Sequence, residues 1–401
     1  MVTDLSLEEA VRLMTAGTVP LGTEAGHPGA LLGRTLARGI TAPMDQPPFD
    51  RSPLDGYALR AADTAGASPE RPVPLTVVDT VYAGDEANVP VGPGQAVKIM
   101  TGAMLPRGCD CVLRQEDTDR GSPTVRLFRA VEPYQNYIRQ GEDYRAGTVL
   151  LPAGTRLDAA AIGLLAGAGI DRAEVRRRPR VTVLSTGDEV VCPHVRPLPP
   201  GKIYGANAQL LTARLEELGI PAPGWEQVGA GPQAAAEAME RLLGGCDLLI
   251  TTGGVSVGER DVLHQALPLL GAEEVFWRVA CKPGSPARFS RYGGKPILSL
   301  SGNPFAAAAT FELLARPLLA ALAGEPHLLP RRRDAELSTS FPKPSPVRRF
   351  LRGRYEEGTV SLPEAHGSGA LRSLVGCSCL VDVPAGSGPL EAGQTVSVLL
   401  L

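Results

Sequence analysis

Three short segments of this chain combine glycine with hydroxyl side chains, and each follows an apolar run. They are Ser185–Glu189, Thr251–Gly258 and Ser299–Pro304. An apolar run followed by glycine, serine and threonine is typical of a buried strand that turns toward the start of a helix. Free backbone N–H groups and the positive end of the helix dipole attract anions at such a turn. One such loop alone could be a simple tight turn, but three of them predict a site for phosphate-like oxygens.

Carboxylates accompany these segments. Asp188 and Glu189 end the first segment, and Asp261 follows the second, directly before the apolar-periodic residues 262–270. Carboxylates beside a phosphate site repel the ligand unless a cation lies between them, and magnesium bound through a few carboxylates and substrate oxygens resolves that conflict. Helix capping and turn formation are the structural alternative for Asp188 and Asp261.

A group of cationic residues surrounds a backbone segment that proline and glycine should bend. Arg278, Lys282 and Arg288 flank Pro283–Pro286. Such a bend can aim a cation at an anionic substrate, and we expect Arg278 and Lys282 to have that role. We expect Arg288 to be an ordinary surface charge.

Strands and helices alternate in the part of the chain that contains these residues. Strands are expected at 181–184, 225–228, 247–251, 275–278 and 296–300, and helices at 209–218, 233–243, 262–270 and 305–322. This alternation predicts a doubly wound, mostly parallel sheet. Ligands of such sheets lie beyond the carboxyl ends of the strands, at the point where the strand order reverses.

The whole chain is predicted to be a multidomain α/β protein. Short β-branched runs separated by glycine and proline predict a β-rich inserted domain at 43–139. Residues 1–42 and 140–177, with helices expected near 6–14, 30–38 and 158–168, predict a discontinuous N-terminal domain. The α/β domain is assigned to 178–328, and a small C-terminal β-domain is assigned to 329–401.

Composition limits the partners and the compartment. The net charge of −3 gives no reason to expect a nucleic-acid partner, and the longest apolar stretch is too short to span a membrane. The seven cysteines lack zinc-finger spacing, which favours reduced thiols and a cytoplasmic location. Dinucleotide-binding, P-loop and nucleophile-elbow motifs are also missing from the sequence.

Seven motifs occur in one order and together resemble a known family. They are Ser-Pro-Leu-Asp55-Gly-Tyr57, Ile-Met-Thr101-Gly-Ala, Gly-Glu-Asp143, Ser-Thr-Gly-Asp-Glu189, Gly-Gly-Val-Ser-Val-Gly-Glu-Arg-Asp261, Lys282-Pro-Gly and Gly302-Asn-Pro304. From about Ser6 to the C-terminus the chain resembles the molybdopterin molybdenumtransferases, the bacterial relatives of the gephyrin E-domain. The resemblance implies an elongated homodimer of four-domain subunits. It also implies a magnesium-dependent transfer of molybdate into adenylylated molybdopterin, with release of AMP.

The resemblance assigns roles to individual residues. The composite site would lie between the α/β domain of one subunit and the β-rich domain of the other. Its expected catalytic residues are Asp55, Thr101, Asp143, Glu189 and Asp261, and its expected magnesium ligands are Asp188, Glu189 and Asp261. Its expected substrate-binding residues are Ser185, Thr186, Gly187, Thr252, Gly253, Gly254, Ser256, Gly258, Arg278, Lys282, Gly302, Asn303, Pro304, Arg352 and Ser368.

The chain departs from the family pattern where charge is expected. Acidic residues are common in the family at the positions of Gly205 and Ala230, a second lysine is common at Ser285, and a proline at Ser301. Losing carboxylates weakens metal binding and losing a lysine weakens anion binding. Three functions therefore stay open: the transferase, a catalytically weak pterin-binding scaffold, and molybdopterin adenylylation. The adenylyltransferase itself is an expected partner, and the sequence does not distinguish molybdate from tungstate.

Overall fold

The computed structural model describes residues 2–222, 224–229, 231–255 and 262–401. Backbone contacts divide the chain into two compact units, Met1–Glu24 with Arg176–Leu401, and Ala25–Val175. We call the first the larger unit and the second the inserted unit. Because this division separates only two units, the finer domain boundaries stay predictions.

Helices and strands are numbered in chain order. The α-helices are α1 (Leu7–Thr15), α2 (Ala159–Gly167), α3 (Asn207–Glu217), α4 (Pro232–Gly245), α5 (Val262–Leu270), α6 (Pro304–Thr310) and α7 (Arg316–Ala323). The first strands are β1 (Val2–Leu5), β2 (Thr23–Gly26), β3 (Ile40–Thr41), β4 (Gly56–Leu59), β5 (Val73–Val81), β6 (Gln95–Ile99), β7 (Cys111–Arg114), β8 (Thr124–Leu127), β9 (Val149–Leu151) and β10 (Ala173–Arg176). The others are β11 (Val181–Thr186), β12 (Val190–Val191), β13 (Ile203–Tyr204), β14 (Trp225–Val228), β15 (Leu248–Thr252), β16 (Glu273–Val279), β17 (Cys281–Lys282), β18 (Arg288–Tyr292), β19 (Lys295–Leu300), β20 (Arg331–Leu337), β21 (Arg348–Glu356), β22 (Thr359–Ser361), β23 (Cys379–Val383) and β24 (Thr395–Leu400).

A seven-stranded sheet forms the centre of the larger unit, in the order β1-β16-β18-β19-β15-β11-β14. β19, β15, β11 and β14 run parallel, whereas β18 pairs antiparallel with both of its neighbours. Side chains of α1, α3, α6 and α7 pack on one face, and those of α4 and α5 pack on the other. Helices on both faces of a mostly parallel sheet confirm the predicted fold.

One long helical run lies in the core of this unit. α6 continues through a π-helical turn at Phe311–Ala315 into α7. Within the described residues, this run alone is long and apolar enough to cross a membrane, but 83% of its most apolar stretch is buried in the protein. Its composition is therefore that of a core helix.

The C-terminal strands form a small barrel within the larger unit. The order β21-β22-β20-β24-β23 closes through a second pairing of β21 with β23. β17 leaves the α/β part of the chain and pairs in parallel with β21, with Cys281 opposite Arg348 and Lys282 opposite Arg349. This pairing fixes Lys282 beside the barrel.

The inserted unit contains a five-stranded sheet in the order β7-β4-β6-β5-β8. Apolar side chains pack on both faces of this sheet. The five strands lie within the segment predicted to be β-rich, and the helix predicted at 158–168 is confirmed.

The helix predicted at 30–38 is wrong. The chain forms a short 3₁₀ helix at Pro28–Ala30, and Leu36 then makes a β-bridge to Val175. Gly33 has a φ of +74°, which ends any helix there, and Leu36 is buried against α2 from an extended backbone.

Candidate functional site

The carboxyl ends of three neighbouring parallel strands form the candidate site in the larger unit. From β11 the chain goes to β14 on one side and then returns to β15 on the other, with β19 beyond it. The strand order therefore reverses between β11 and β15, where parallel sheets bind their ligands. The three predicted loops begin at these strand ends, so the structure brings together the described parts of all three. Ser256, Gly258 and Asp261 lie outside the described residues.

Hydroxyl and amide side chains hold these loops against one another. Thr186 Oγ1 donates to the carbonyl oxygen of Thr252 (3.4 Å), and Thr252 Oγ1 donates to that of Ser301 (3.1 Å). Asn207 Nδ2 donates to Thr252 Oγ1 (2.9 Å) and to the carbonyl oxygen of Gly302 (2.8 Å). Asn207, the first residue of α3, thus connects the loops after β15 and β19.

Two glycines allow the loops to approach closely. Gly253 has a φ of +94°, and an added Cβ would lie 2.5 Å from the carbonyl oxygen of Thr186. Gly187 has a φ of +130°, and an added Cβ would lie 2.7 Å from Oε2 of Glu189. A larger residue at Gly253 would push the loops after β11 and β15 apart, and one at Gly187 would require the Glu189 side chain to move.

Two of the predicted magnesium ligands lie together. Asp188 and Glu189 line a cavity of about 300 Å³ beyond the end of β11, whose wall also includes Lys202. Lys202 Nζ donates to the carbonyl oxygen of Asp188 (2.7 Å). Within the described residues, no group of three or more His, Cys, Asp or Glu could hold a metal ion. Two carboxylates on an open cavity fit magnesium, which usually keeps several waters and takes further oxygens from its substrate.

The missing carboxylates coincide with close packing. At Gly205 an added Cβ would lie 2.8 Å from Cγ1 of Val190, and at Gly229 an added Cβ would lie 2.8 Å from Oδ1 of Asp188. Ala230 lies outside the described residues. A larger residue at Gly205 would therefore require its neighbours to move.

A second cavity, of about 470 Å³, brings together four predicted substrate-binding residues. Arg278, Lys282, Asn303 and Ser368 line it. Arg278 also forms an ion pair with Asp4 at 3.2 Å. The cavity thus combines two cations with hydroxyl and amide groups, which suits an oxyanion.

Arg352 is almost completely buried, at 1% exposure. Its Nη2 donates to the carbonyl oxygens of Ala365 (2.7 Å) and Gly367 (2.9 Å), and its guanidinium lies 4.1 Å from the ring centroid of Phe305. Burial lowers the pKa of Arg352. These contacts hold the loop that carries Ser368.

The prediction that Arg288 is a surface charge is wrong. Its side chain is 0% exposed, because β18 is an internal strand of the sheet. Arg288 lies 3.6 Å from Glu274 and its guanidinium is 5.3 Å from the ring centroid of Trp277.

Asp55 and Thr101 meet in the inserted unit although they are 46 residues apart in the chain. Oδ1 of Asp55 accepts hydrogen bonds from the backbone N–H (2.8 Å) and from Oγ1 (2.7 Å) of Thr101. These bonds lower the pKa of Asp55, so it is a carboxylate at neutral pH. The antiparallel pairing of β4 with β6 places the two residues side by side. Asp143 lies on another loop, where its N–H donates to the carbonyl oxygen of Gln46 (2.9 Å).

Sequence reasoning did not assign Asn207 or Lys202 to the site. Their position in the chain is the signal that could have identified them. Both follow the glycine-containing loop after β11, and the segment after such a loop passes close to the ends of the strands before the next helix begins.

Three family descriptions match successive parts of the chain. Residues 5–169 match the MoeA N-terminal region (domain I and II), residues 182–321 match the probable molybdopterin binding domain, and residues 334–401 match the MoeA C-terminal region (domain IV). The chain is 37% identical to the molybdopterin molybdenumtransferase of Bacillus subtilis, over 100% of the chain and 94% of that protein. It is 32% identical to the molybdopterin molybdenumtransferase of Staphylococcus epidermidis, over 99% of the chain and 96% of that protein.

Solved structures are similar over the same length. A crystal structure of the molybdopterin biosynthesis moeA protein from Pyrococcus horikoshii has a TM-score of 0.86 and 31% identity, with 99% of each chain covered. A second structure of that protein has a TM-score of 0.80 and 29% identity, with 100% of each chain covered.

Proposed function

Because the chain belongs to the molybdopterin molybdenumtransferase family, we propose that it inserts molybdate into adenylylated molybdopterin in a magnesium-dependent reaction that releases AMP. Membership of this family shows that the chain is a transferase of molybdenum cofactor biosynthesis. The observation that carries the finer proposal is the crevice between β11 and β15, which joins hydroxyl-rich loops to two carboxylates.

Each part of the crevice has a proposed role. Thr186, Gly187 and Gly254, which line the cavity beyond β11, contact the phosphate oxygens of the adenylylated substrate. Asp188 and Glu189, together with Asp261, would hold magnesium, and the ion would supply positive charge beside the phosphate oxygens. Asn207 keeps the loops in register, so that the reacting groups stay aligned.

The incoming oxyanion takes the neighbouring cavity. Lys282 supplies positive charge there, and Ser368 and Asn303 supply hydrogen-bond donors. Arg352 acts through the loop that it holds and not through contact with the oxyanion. Molybdate is a substrate in this proposal and not a resident metal.

We also propose a homodimer in which Asp55 and Thr101 of one subunit complete the site of the other. The support is that Asp55 is a partly exposed carboxylate, held in place by the two hydrogen bonds from Thr101. Asp55→Asn keeps the size and the turn preference of the side chain but removes its charge. Mixed dimers of Asp55→Asn and Glu189→Gln subunits should regain turnover, since one composite site is intact. No recovery in verified mixed dimers would contradict the shared site.

The acidic pair provides the test of the reaction itself. Glu189→Gln and Asp261→Asn should lower AMP release at limiting magnesium, and excess magnesium should restore part of the rate, because fewer charges hold the cation. Glu356→Gln is the matched control, since this carboxylate is 65% exposed on the barrel and pairs with Arg354. Normal AMP release by both site variants at every magnesium concentration would contradict the assignment.

A catalytically weak scaffold is the second candidate. The observation that favours it is the close approach of Gly205 to Val190, where a family carboxylate has no room. A scaffold would bind adenylylated molybdopterin without releasing AMP. The adenylyltransferase alternative accounts only for the α/β part of the chain, and we set it aside.

A further inference from the structure

A third cavity, of about 780 Å³, lies between the barrel and the start of α6. Lys282, Lys343, Arg349 and His366 line it, with one carboxylate, that of Glu364. The cavity shares Lys282 and Ser368 with the proposed oxyanion site. Cationic groups therefore outnumber acidic ones around this space.

Arg349 differs from Arg348 and Arg354, which lie on the same strand, β21. Arg348 forms ion pairs with Glu8 and Asp382, and Arg354 pairs with Glu356. Arg349 instead donates from Nε to Oγ of Ser345 (3.0 Å), and its guanidinium lies 5.5 Å from the ring centroid of Phe341.

In the described part of the chain, Lys282, Lys343 and Arg349 have no ion pair with a carboxylate. Unpaired cations that converge on one cavity repel each other. A bound anion relieves that repulsion.

His366 occupies a special place in this group. Its Nδ1 is buried and has no hydrogen-bond partner among the described residues, and its ring contacts Phe341 edge-on at 5.0 Å between centroids. The charged groups facing it are Arg349 and Arg352 from β21, Lys343 from the segment after β20, Lys282 from β17 and Glu364 from its own loop. Burial lowers the pKa of His366, and the charges of Arg352, Lys343 and Arg349 lower it further.

We propose that this cavity binds a tetrahedral oxyanion through Lys343 and Arg349, and that His366 takes up one proton when the anion binds. The inference rests on the proposed function, since the anion is then molybdate or the phosphate group of a nucleotide. In this proposal Lys343 and Arg349 bind the anion used in the reaction, and protonation of His366 makes that binding depend on pH.

The sign of the coupling follows from the charges. In the free protein, burial and then the neighbouring cations lower the pKa of His366, so its ring is neutral near pH 7. A dianion placed among them cancels their repulsion and adds attraction, so the pKa of His366 rises in the complex. The bound state then holds more protons than the free state, and affinity falls as pH rises. For each unit by which anion binding raises the pKa of His366, the affinity for the anion is about tenfold weaker at a pH above both pKa values than at a pH below both.

Calorimetric titration of the full chain with sodium molybdate, from pH 6 to pH 8, tests the inference. Repeating it in buffers of different ionisation enthalpy counts the protons taken up. AMP titrated alone is the second arm and decides between a molybdate and a phosphate source. The variants are Arg349→Gln, Lys343→Gln and His366→Gln, and Arg354→Gln is the control because it lies on the same strand but pairs with Glu356. Circular dichroism checks that each variant is folded.

We expect Arg349→Gln and Lys343→Gln to weaken binding about tenfold or more at pH 6, because each removes a charge-assisted contact. His366→Gln should remove the proton uptake and flatten the pH profile, and Arg354→Gln should behave like the parent. Unchanged affinity in both cation variants, or proton uptake that persists in His366→Gln, overturns the inference. No binding of either anion overturns it as well. Because binding is measured without turnover, a protein that binds as expected but transfers no molybdate would contradict the proposed function and not this inference.

Discussion

Asn207→Ala is the substitution that best separates the loop arrangement from overall folding. The Asn207 amide donates hydrogen bonds to Thr252 Oγ1 (2.9 Å) and to the carbonyl oxygen of Gly302 (2.8 Å). Alanine removes both bonds while preserving the helix, because it has the highest helix propensity. The loops after β15 and β19 then lose the connection through Asn207, although the hydrogen bond from Thr252 Oγ1 to the carbonyl oxygen of Ser301 remains.

The expected magnitudes differ between stability and rate. Two net hydrogen bonds at a partly buried position contribute about 1–3 kcal/mol together. The free energy of unfolding should therefore fall by about that amount, which leaves the protein folded at 25 °C. A displacement of about 1 Å between reacting groups can cost about a hundredfold in rate. Turnover should thus fall much more than stability.

Urea unfolding followed by circular dichroism measures the first quantity, and AMP release from adenylylated molybdopterin measures the second. Asn88→Ala is the matched control, since its amide donates to Asp79 (3.1 Å) at an exposed position of the inserted unit. The control should change neither measurement appreciably. A turnover of Asn207→Ala within twofold of the parent would refute the claim that Asn207 aligns the loops.

Three further outcomes follow from local geometry and charge. Gly253→Ala should abolish AMP release, because a Cβ there would lie 2.5 Å from the Thr186 carbonyl oxygen. Gly66→Ala is the control: Gly66 has a similar φ of +76° but lies in open space, so this variant should lose stability and keep AMP release. An equal loss of AMP release in both variants would refute this. Arg348→Gln should destabilise the barrel by about 1–3 kcal/mol and raise the pH at which acid unfolding begins. Burial raises the pKa of Asp382, but hydrogen bonds from Arg348 and Arg332 lower it more. The ionised Asp382 therefore stabilises the fold above the pKa of the unfolded state, and this stabilisation is lost as the pH falls through the pKa of the folded state. An unchanged midpoint of acid unfolding in Arg348→Gln would contradict that coupling. Arg352→Gln should raise the KM for molybdate more than it lowers kcat, because it loosens the loop that carries Ser368; an unchanged KM would contradict a positioning role.

The α/β part of the fold follows closely from the sequence. Each strand expected between 181 and 300 is present. The signal is clearest for β11 and β15, which are buried parallel strands and give short apolar runs followed closely by glycine. The pairing of Asp55 with Thr101 could not be derived from spacing alone. It depends on β4 and β6 lying next to each other in the sheet, which is a non-local pairing.

The errors have physical causes of the same kind. Residues 30–38 contain helix-forming residues, but Leu36 packs on α2 from an extended chain. Arg288 has the composition of a surface residue, yet β18 lies between β16 and β19 and buries it. The secondary-structure propensity of a segment does not indicate which strands will lie beside it in the folded sheet.

The central claim is that this chain couples molybdate insertion to AMP release with magnesium. The most direct test incubates the purified protein with adenylylated molybdopterin and molybdate and measures AMP and inserted molybdenum in the same sample. We expect one AMP per molybdenum inserted in the presence of magnesium, and neither product after chelation by EDTA. AMP release without molybdenum insertion, or insertion that is unaffected by EDTA, would contradict the claim.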